Sequence, residues 1–345
     1  MDHRGRLILA CAAIVGLFLV VQLGALAFVE PAVEQDLQEF EGGGDSSLSI
    51  ALVLGLLAMT GLMLVALRYG GASVLRGFIL LASVYIAFFA LDVLVPAVVE
   101  PTVGGVSVNL LAVGGALGLG GALYAYPEWY VVDTAGVVMG IGAAGLFGIN
   151  FGVTAALVLL SVLAVYDAIS VYGTEHMLTL ASGVMEMRVP VVLVVPLSLS
   201  YSYLDAEPPE TAEAPGEGSE DDSPEAADGD ENASSETGDD PEPGRDALFI
   251  GLGDAIIPTV LVASVAFFVD AGPTVSLLVV EASLPAVTAM VGTLLGLVVL
   301  LWLVTRGRAH AGLPLLNGGA IAGYLVGALA SGLTLAEAVG VSGLL

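Results

Sequence analysis

Apolar residues run along this chain in blocks of about twenty, with short polar breaks between them. A bilayer core of about 30 Å is crossed by about 20 apolar helical residues. The pattern therefore predicts nine membrane spans, at 7–29, 48–67, 77–99, 107–126, 132–150, 152–172, 247–269, 274–304 and 311–332. Segment 130–172 is almost continuously apolar, and Gly148–Gly152 is the expected break between the fifth and sixth spans. Residues 189–199 are apolar but too short to span, and Pro190 and Pro196 bound and interrupt them. They read as an interfacial or strand-like segment. The chain shows no convincing internal repeat.

Composition sharpens this picture. Of 345 residues 57% are hydrophobic and only 12% are charged, yet 35 acids against 8 bases leave a net charge of −27. Seventeen of the acids lie between Asp205 and Asp246, and six more between Glu30 and Asp45. The rest of the chain is nearly uncharged, which excludes a single soluble domain and a nucleic-acid binder. Residues 204–246, rich in Pro, Gly, Ser and acids, cannot bury enough apolar surface to fold and read as a disordered acidic cytoplasmic loop. That loop divides a six-span N-terminal part, 1–203, from a three-span C-terminal part, 247–345. The sequon at Asn232 falls in it and is expected to be idle. All eight bases are Arg, and a lysine-free, acid-rich surface fits a salt-rich, halophilic cytoplasm. The single cysteine, Cys11, lies in an apolar run and excludes a disulfide framework.

The arginines give the orientation. Arg4 and Arg6 precede span one, Arg68 and Arg76 bracket the loop after span two, Arg188 and Arg245 follow span six, and Arg306 and Arg308 follow span eight. With nine spans and a cytoplasmic N-terminus, all eight fall on the cytoplasmic side, as the positive-inside rule asks. A rival reading takes Arg4, Arg6 and the run up to Ala25-Leu26-Ala27 as a cleaved signal peptide. The apolar run is longer than a signal core, which favours a retained span.

Acids within spans are costly and mark function. The candidates are Asp92, Asp133, Asp167, Asp254 and Glu281. Asp167, 15 residues into span six, is expected about 22 Å deep, leaving about 8 Å to the cytoplasmic edge. Asp254, seven residues into span seven, is expected about 10 Å from that same edge. The two can face each other. A facing pair of carboxyls shares one proton, so that one member activates water while the other polarises a carbonyl. This is chemistry for amide hydrolysis, with no cofactor and no metal. Asp92 and Glu281 read as structural or near-interface acids, and Asp133 as interfacial beside Trp129 and Tyr130. Glu175 and His176 lack metalloprotease spacing. The glycines before Asp254 free space around its carboxyl, and Tyr166 can pack or donate beside Asp167. Pro314 stands at the entrance of the last span, where extended backbone is expected.

Tyr166-Asp167, Gly251-Leu252-Gly253-Asp254 and Pro314-Leu315-Leu316 resemble the three signatures of the GxGD intramembrane aspartyl proteases, the family of presenilin and signal peptide peptidase. The likeness is greatest to archaeal presenilin homologues and extends over order, spacing and the nine-span layout. It departs at Leu315, where the family's last motif has alanine. The resemblance implies an all-α, presenilin-like membrane protein of the cell membrane that cuts transmembrane helices. It assigns Asp167 and Asp254 as the catalytic pair. Tyr166, Gly251, Leu252, Gly253, Pro314, Leu315 and Leu316 become the motif residues that shape the substrate site. The presenilin sense of insertion implies single-span substrates with their N-terminus outside. A substrate helix must unwind at the pair, and 189–199 and the residues before Gly251 are candidate strands for it to join.

Two other functions compete. Paired acids in a Gly- and Pro-broken bundle could bind a cation in a secondary transporter or channel. A prepilin-type peptidase also uses GxGD, with its acids nearer cytosolic loops.

Overall fold

A computed structural model describes residues 3–38, 74, 76–103, 106–173, 190–198, 201–204, 247–277, 280–306 and 311–340. The expected span at 48–67, Glu175, His176 and residues 205–246 lie outside the described residues. The described chain is mostly helical. Its helices are α1 (His3–Glu34), α2 (Arg76–Leu94), α3 (Leu110–Ala125), α4 (Trp129–Gly173), α5 (Leu252–Phe268), α6 (Leu284–Val304), α7 (Gly312–Ala330) and α8 (Leu335–Ala338). Among the described residues α1, α2, α4, α6 and α7 are long and apolar enough to cross a membrane, while α3 and α5 have 16 and 17 residues.

The 45 residues of α4 would reach about 67 Å, twice a bilayer core. Gly152 divides them, with φ 68° and ψ 157° inside the helical run. That backbone is open essentially to glycine alone. The break falls at the end of the predicted window, so the run is two helices joined at one residue.

Among the described residues, three two-stranded antiparallel sheets correct the all-α expectation. They pair β1 (Thr102–Val103) with β2 (Val106–Ser107), β3 (Val192–Pro196) with β4 (Ala247–Gly251), and β5 (Thr274–Leu277) with β6 (Val280–Ser283). The strand-like reading of 189–199 is what β3 becomes. Span 274–304 is corrected at its start: residues 274–283 are strand, and the helix begins at Leu284 with Pro285 in its first turn. Proline there forfeits no intrahelical bond. Glu281 accordingly sits on β6, exposed, with the Ser276 hydroxyl donating to it at 3.5 Å, and is not part of a helical span. Span 247–269 likewise begins as strand and turns helical only at Leu252.

The helices pack where small residues allow it. A Cβ on Gly292 would collide with the Gly319 carbonyl, one on Gly296 with the Leu315 carbonyl, and one on Gly323 with the Thr288 carbonyl. So α6 and α7 touch backbone to backbone, as small residues permit in membrane bundles. One buried cluster joins Ile14 and Phe18 of α1, Leu193 and Val195 of β3, Leu252 of α5, Leu297 of α6 and Leu316 of α7. Five elements therefore meet around the strand-to-helix junction at Gly251.

Candidate active site

Strand β4 runs straight into α5. Gly251 is both the last strand residue and the N-cap, with φ −60° and ψ 133°. Asp254 thus lies in the first turn of α5, where free N–H groups and the helix dipole favour a carboxylate. Pro258 is inside the helix and has no N–H to return to the Asp254 carbonyl. No loop separates β4 from α5, so the place of β4 bears directly on the place of Asp254.

Asp167 is buried, at 7% exposure, near the end of the second half of α4. Its Oδ2 accepts the backbone N–H of Leu313 at 3.0 Å. Leu313 is in the first turn of α7, whose N-cap, Ala311, supplies no side-chain bond. The Asp167 carboxylate therefore takes one of the free N–H groups that every helix start leaves. Asp254 reaches the same turn: a Cβ on Gly312 would lie 3.7 Å from its Oδ2, and one on Gly251 3.4 Å from that oxygen. The two glycines bracket the half-buried Asp254 carboxyl without touching it. The structure thus brings the two acids of the predicted pair together over Gly312-Leu313.

The other motif residues divide. Leu252 and Leu316 are buried in the shared cluster, and Pro314 and Leu315 are half-buried beside the acids. Pro314 lies inside the first helical turn rather than in extended backbone, which corrects the expectation for the last span's entrance. Tyr166 is 65% exposed, because its ring leaves the helix about 100° away from the inward face that carries Asp167. Gly253 is exposed, with only Ile257 close to where a Cβ would stand. Among the described residues no three His, Cys, Asp or Glu side chains gather as metal ligands would.

Two further acids hold the approach to the site. Asp133, at 7% exposure, is buried within the protein, and its Oδ1 accepts the Val194 N–H of β3 at 2.7 Å. Glu128, just ahead of α4, accepts the Ser202 hydroxyl at 2.7 Å and the Tyr203 N–H at 2.9 Å. Burial pushes the Glu128 carboxyl up, but the Ser202 hydroxyl and the N–H groups of Tyr203, Trp129 and Leu204 outweigh it and hold the group below its ordinary value. Neither partner is visible in sequence, since both bonds span more than 60 residues. The Leu313 N–H had a signal: Pro314 marks a helix start, and helix starts leave N–H groups free.

A family profile described as signal-peptide peptidase, presenilin aspartyl protease matches residues 15–333. A solved structure of a presenilin family intramembrane aspartate protease, in space group C222, is 31% identical, with a TM-score of 0.57 over 93% of this chain and 99% of that one. A second such structure, in space group P2, is also 31% identical, with a TM-score of 0.56 over 92% of this chain and 97% of that one. No curated protein gives a significant match. These findings do not favour the ion-transport reading.

Proposed function

The chain belongs to the signal-peptide peptidase and presenilin aspartyl protease family and is a multi-pass intramembrane aspartic endopeptidase; from that premise we propose that Asp167 and Asp254 are its catalytic pair. The observation that carries the assignment is their convergence on the first turn of α7. Two carboxyls this close hold one proton between them, and the proton belongs to the pair. The ionised member takes a proton from water, and the water oxygen attacks the scissile carbonyl carbon. The protonated member gives its proton to the carbonyl oxygen. Collapse of the tetrahedral species then returns a proton to the leaving amide nitrogen.

Gly251 and Gly312 leave room beside Asp254 for substrate backbone, and the Pro314-Leu315-Leu316 turn forms the wall. The register supports β4 as the strand an unwound substrate joins. Leu252 donates to the Val191 carbonyl at 2.8 Å, so 191 and 252 form a hydrogen-bonded pair. Such pairs alternate along an antiparallel ladder, which turns the backbone groups of Ala247, Phe249 and Gly251 away from β3. An extended segment adds there by strand pairing.

The eight arginines support nine spans with a cytoplasmic N-terminus, substrates with an external N-terminus, and residues 204–246 as a cytoplasmic linker between two parts. The absence of lysine supports a salt-rich cytoplasm. The test is cleavage of a tagged single-span protein in membranes by the wild type, Asp167→Ala and Asp254→Ala. Loss of cleavage in both variants is expected. Wild-type cleavage in either removes that residue from the pair.

A further inference from the structure

Asp133 and Glu128 are buried acids that the proteolytic chemistry does not use. We infer that Asp133, seconded by Glu128, is a positioning residue that pins the outer edge of β3 and so fixes where β4 delivers Asp254 and the substrate strand; the inference rests on the proteolytic reading above.

The ladder register locates the bond. Pairs 191–252, 193–250 and 195–248 exchange hydrogen bonds, so the N–H of Val194 faces away from β4. Asp133 Oδ1 takes that outward N–H at 2.7 Å. The next outward-facing position on β3 is Pro196, which has no N–H. Of the outward positions 192, 194 and 196, one donor is occupied and one does not exist. The middle of the β3 edge is held by Asp133 and its far end has no donor, so β4 is the edge better placed to accept a strand.

The helix face around Asp133 is shaped for the same task. Gly136, one turn along α4, faces the sheet: a Cβ there would lie 3.1 Å from Leu193 Cδ2 and 3.5 Å from Leu252 Cδ1. A Cβ on Gly140 would lie 3.6 Å from Leu252 Cδ1. One stripe of α4 therefore grips β3 by a directional bond and seats Leu252, two residues before Asp254. Glu128 fixes the chain after β3 through Ser202 and Tyr203. An apolar side chain at 133 could fill the same volume without the cost of burying a carboxyl. What Asp133 adds is a fixed place for one backbone N–H, and hence for the strand's position along its own axis.

The experiment uses the full-length protein in lipid with a single-span substrate, reading kcat, KM and product masses. Asp133→Asn keeps a side-chain acceptor and is expected to stay within about threefold of wild-type kcat and to cut the same bond. Asp133→Ala is expected to lower kcat at least about tenfold with KM little changed, and to spread the cut over neighbouring bonds. Val194→Pro removes the donor at a position whose outward geometry Pro196 already tolerates, and is expected to do the same; it decides the matter where Asp133→Ala does not fold. A folded Asp133→Ala or Val194→Pro enzyme that cuts the wild-type bond at wild-type kcat overturns the inference. If Asp254→Ala stays fully active, the underlying assignment fails and takes this inference with it. Loss in Asp254→Ala beside a wild-type Asp133→Ala overturns the inference alone.

Discussion

The backbone N–H of Leu313 donates to Oδ2 of Asp167 across 3.0 Å, joining two helices 146 residues apart in sequence. The bond uses an N–H that α7 cannot use itself, because the first turn of a helix has no carbonyl behind it. Leu313→Pro is therefore expected to keep α7 intact, since proline is tolerated in a first turn, while removing the bond. A hydrogen bond of this kind contributes roughly 0.5–1.5 kcal/mol, so kcat should fall about two- to tenfold. Steady-state cleavage kinetics check this, with circular dichroism confirming helix content. Unchanged kcat would show that the Asp167 position does not depend on α7.

Gly296 lets α6 meet the backbone of α7 at Leu315 and Leu316, on the turn that carries the contact to Asp167. Gly296→Ala would place a methyl in the Leu315 carbonyl, and backbone cannot move aside as a side chain can. Overpacking of this kind costs about 1–3 kcal/mol. Because the displaced segment also forms the wall of the site, cleavage should fall together with thermal stability in lipid. A variant that loses stability but keeps wild-type kcat would separate α7 packing from the site.

Among the described residues nothing stands where a side chain on Gly152 would, so the expected penalty at this position is conformational. Gly152→Ala forces an L-residue to φ 68°, ψ 157° and is expected to destabilise the protein by about 1–3 kcal/mol. Gly148→Ala makes a useful contrast: a Cβ there would collide with Ala263, and its penalty is steric. Removing the Ala263 methyl by Ala263→Gly should rescue Gly148→Ala in part, since the backbone at 263 and 264 stays close, and leave Gly152→Ala unrelieved, as unfolding midpoints would show.

Glu128 predicts an acid-labile contact. Its hydrogen bonds hold the folded carboxyl below the ordinary value of 4.5, so in acid the unfolded chain binds the proton first. Stability from this group is then fully present above the unfolded value and is lost as pH falls through the lowered folded value. Glu128→Gln should lower the unfolding midpoint at neutral pH and converge on wild type in acid. Thermal unfolding across that range measures it, and parallel curves would refute the contact's role.

Much of this was legible in the residues, and the reasons differ by element. The break near Gly148–Gly152 was legible because the apolar run is too long for one span, but which of its glycines breaks the helix was not. The strand at 192–196 was visible from Pro190, Pro196 and the run's length. The β5–β6 sheet was not, since Thr274–Ser283 is as apolar as the helix after it, and hydropathy alone does not tell strand from helix in such a run. The partner of Asp133 was hidden for a different reason: Val194 lies 61 residues away, and no local pattern links the two.

The amino-acid sequence by itself determined the membrane class, the helical runs, the chemistry of two acids at one expected depth, and the motifs that mark the family. These depend on length, hydropathy and spacing, which act locally along the chain. Only the tertiary structure decided that Asp167 and Asp254 meet over Gly312-Leu313, that β3 pairs with β4, and that Asp133 holds the outer edge of that pair. Each of those facts is a hydrogen bond or a close approach involving backbone. Backbone groups are the same at every residue, so no pattern of side chains could name them in advance.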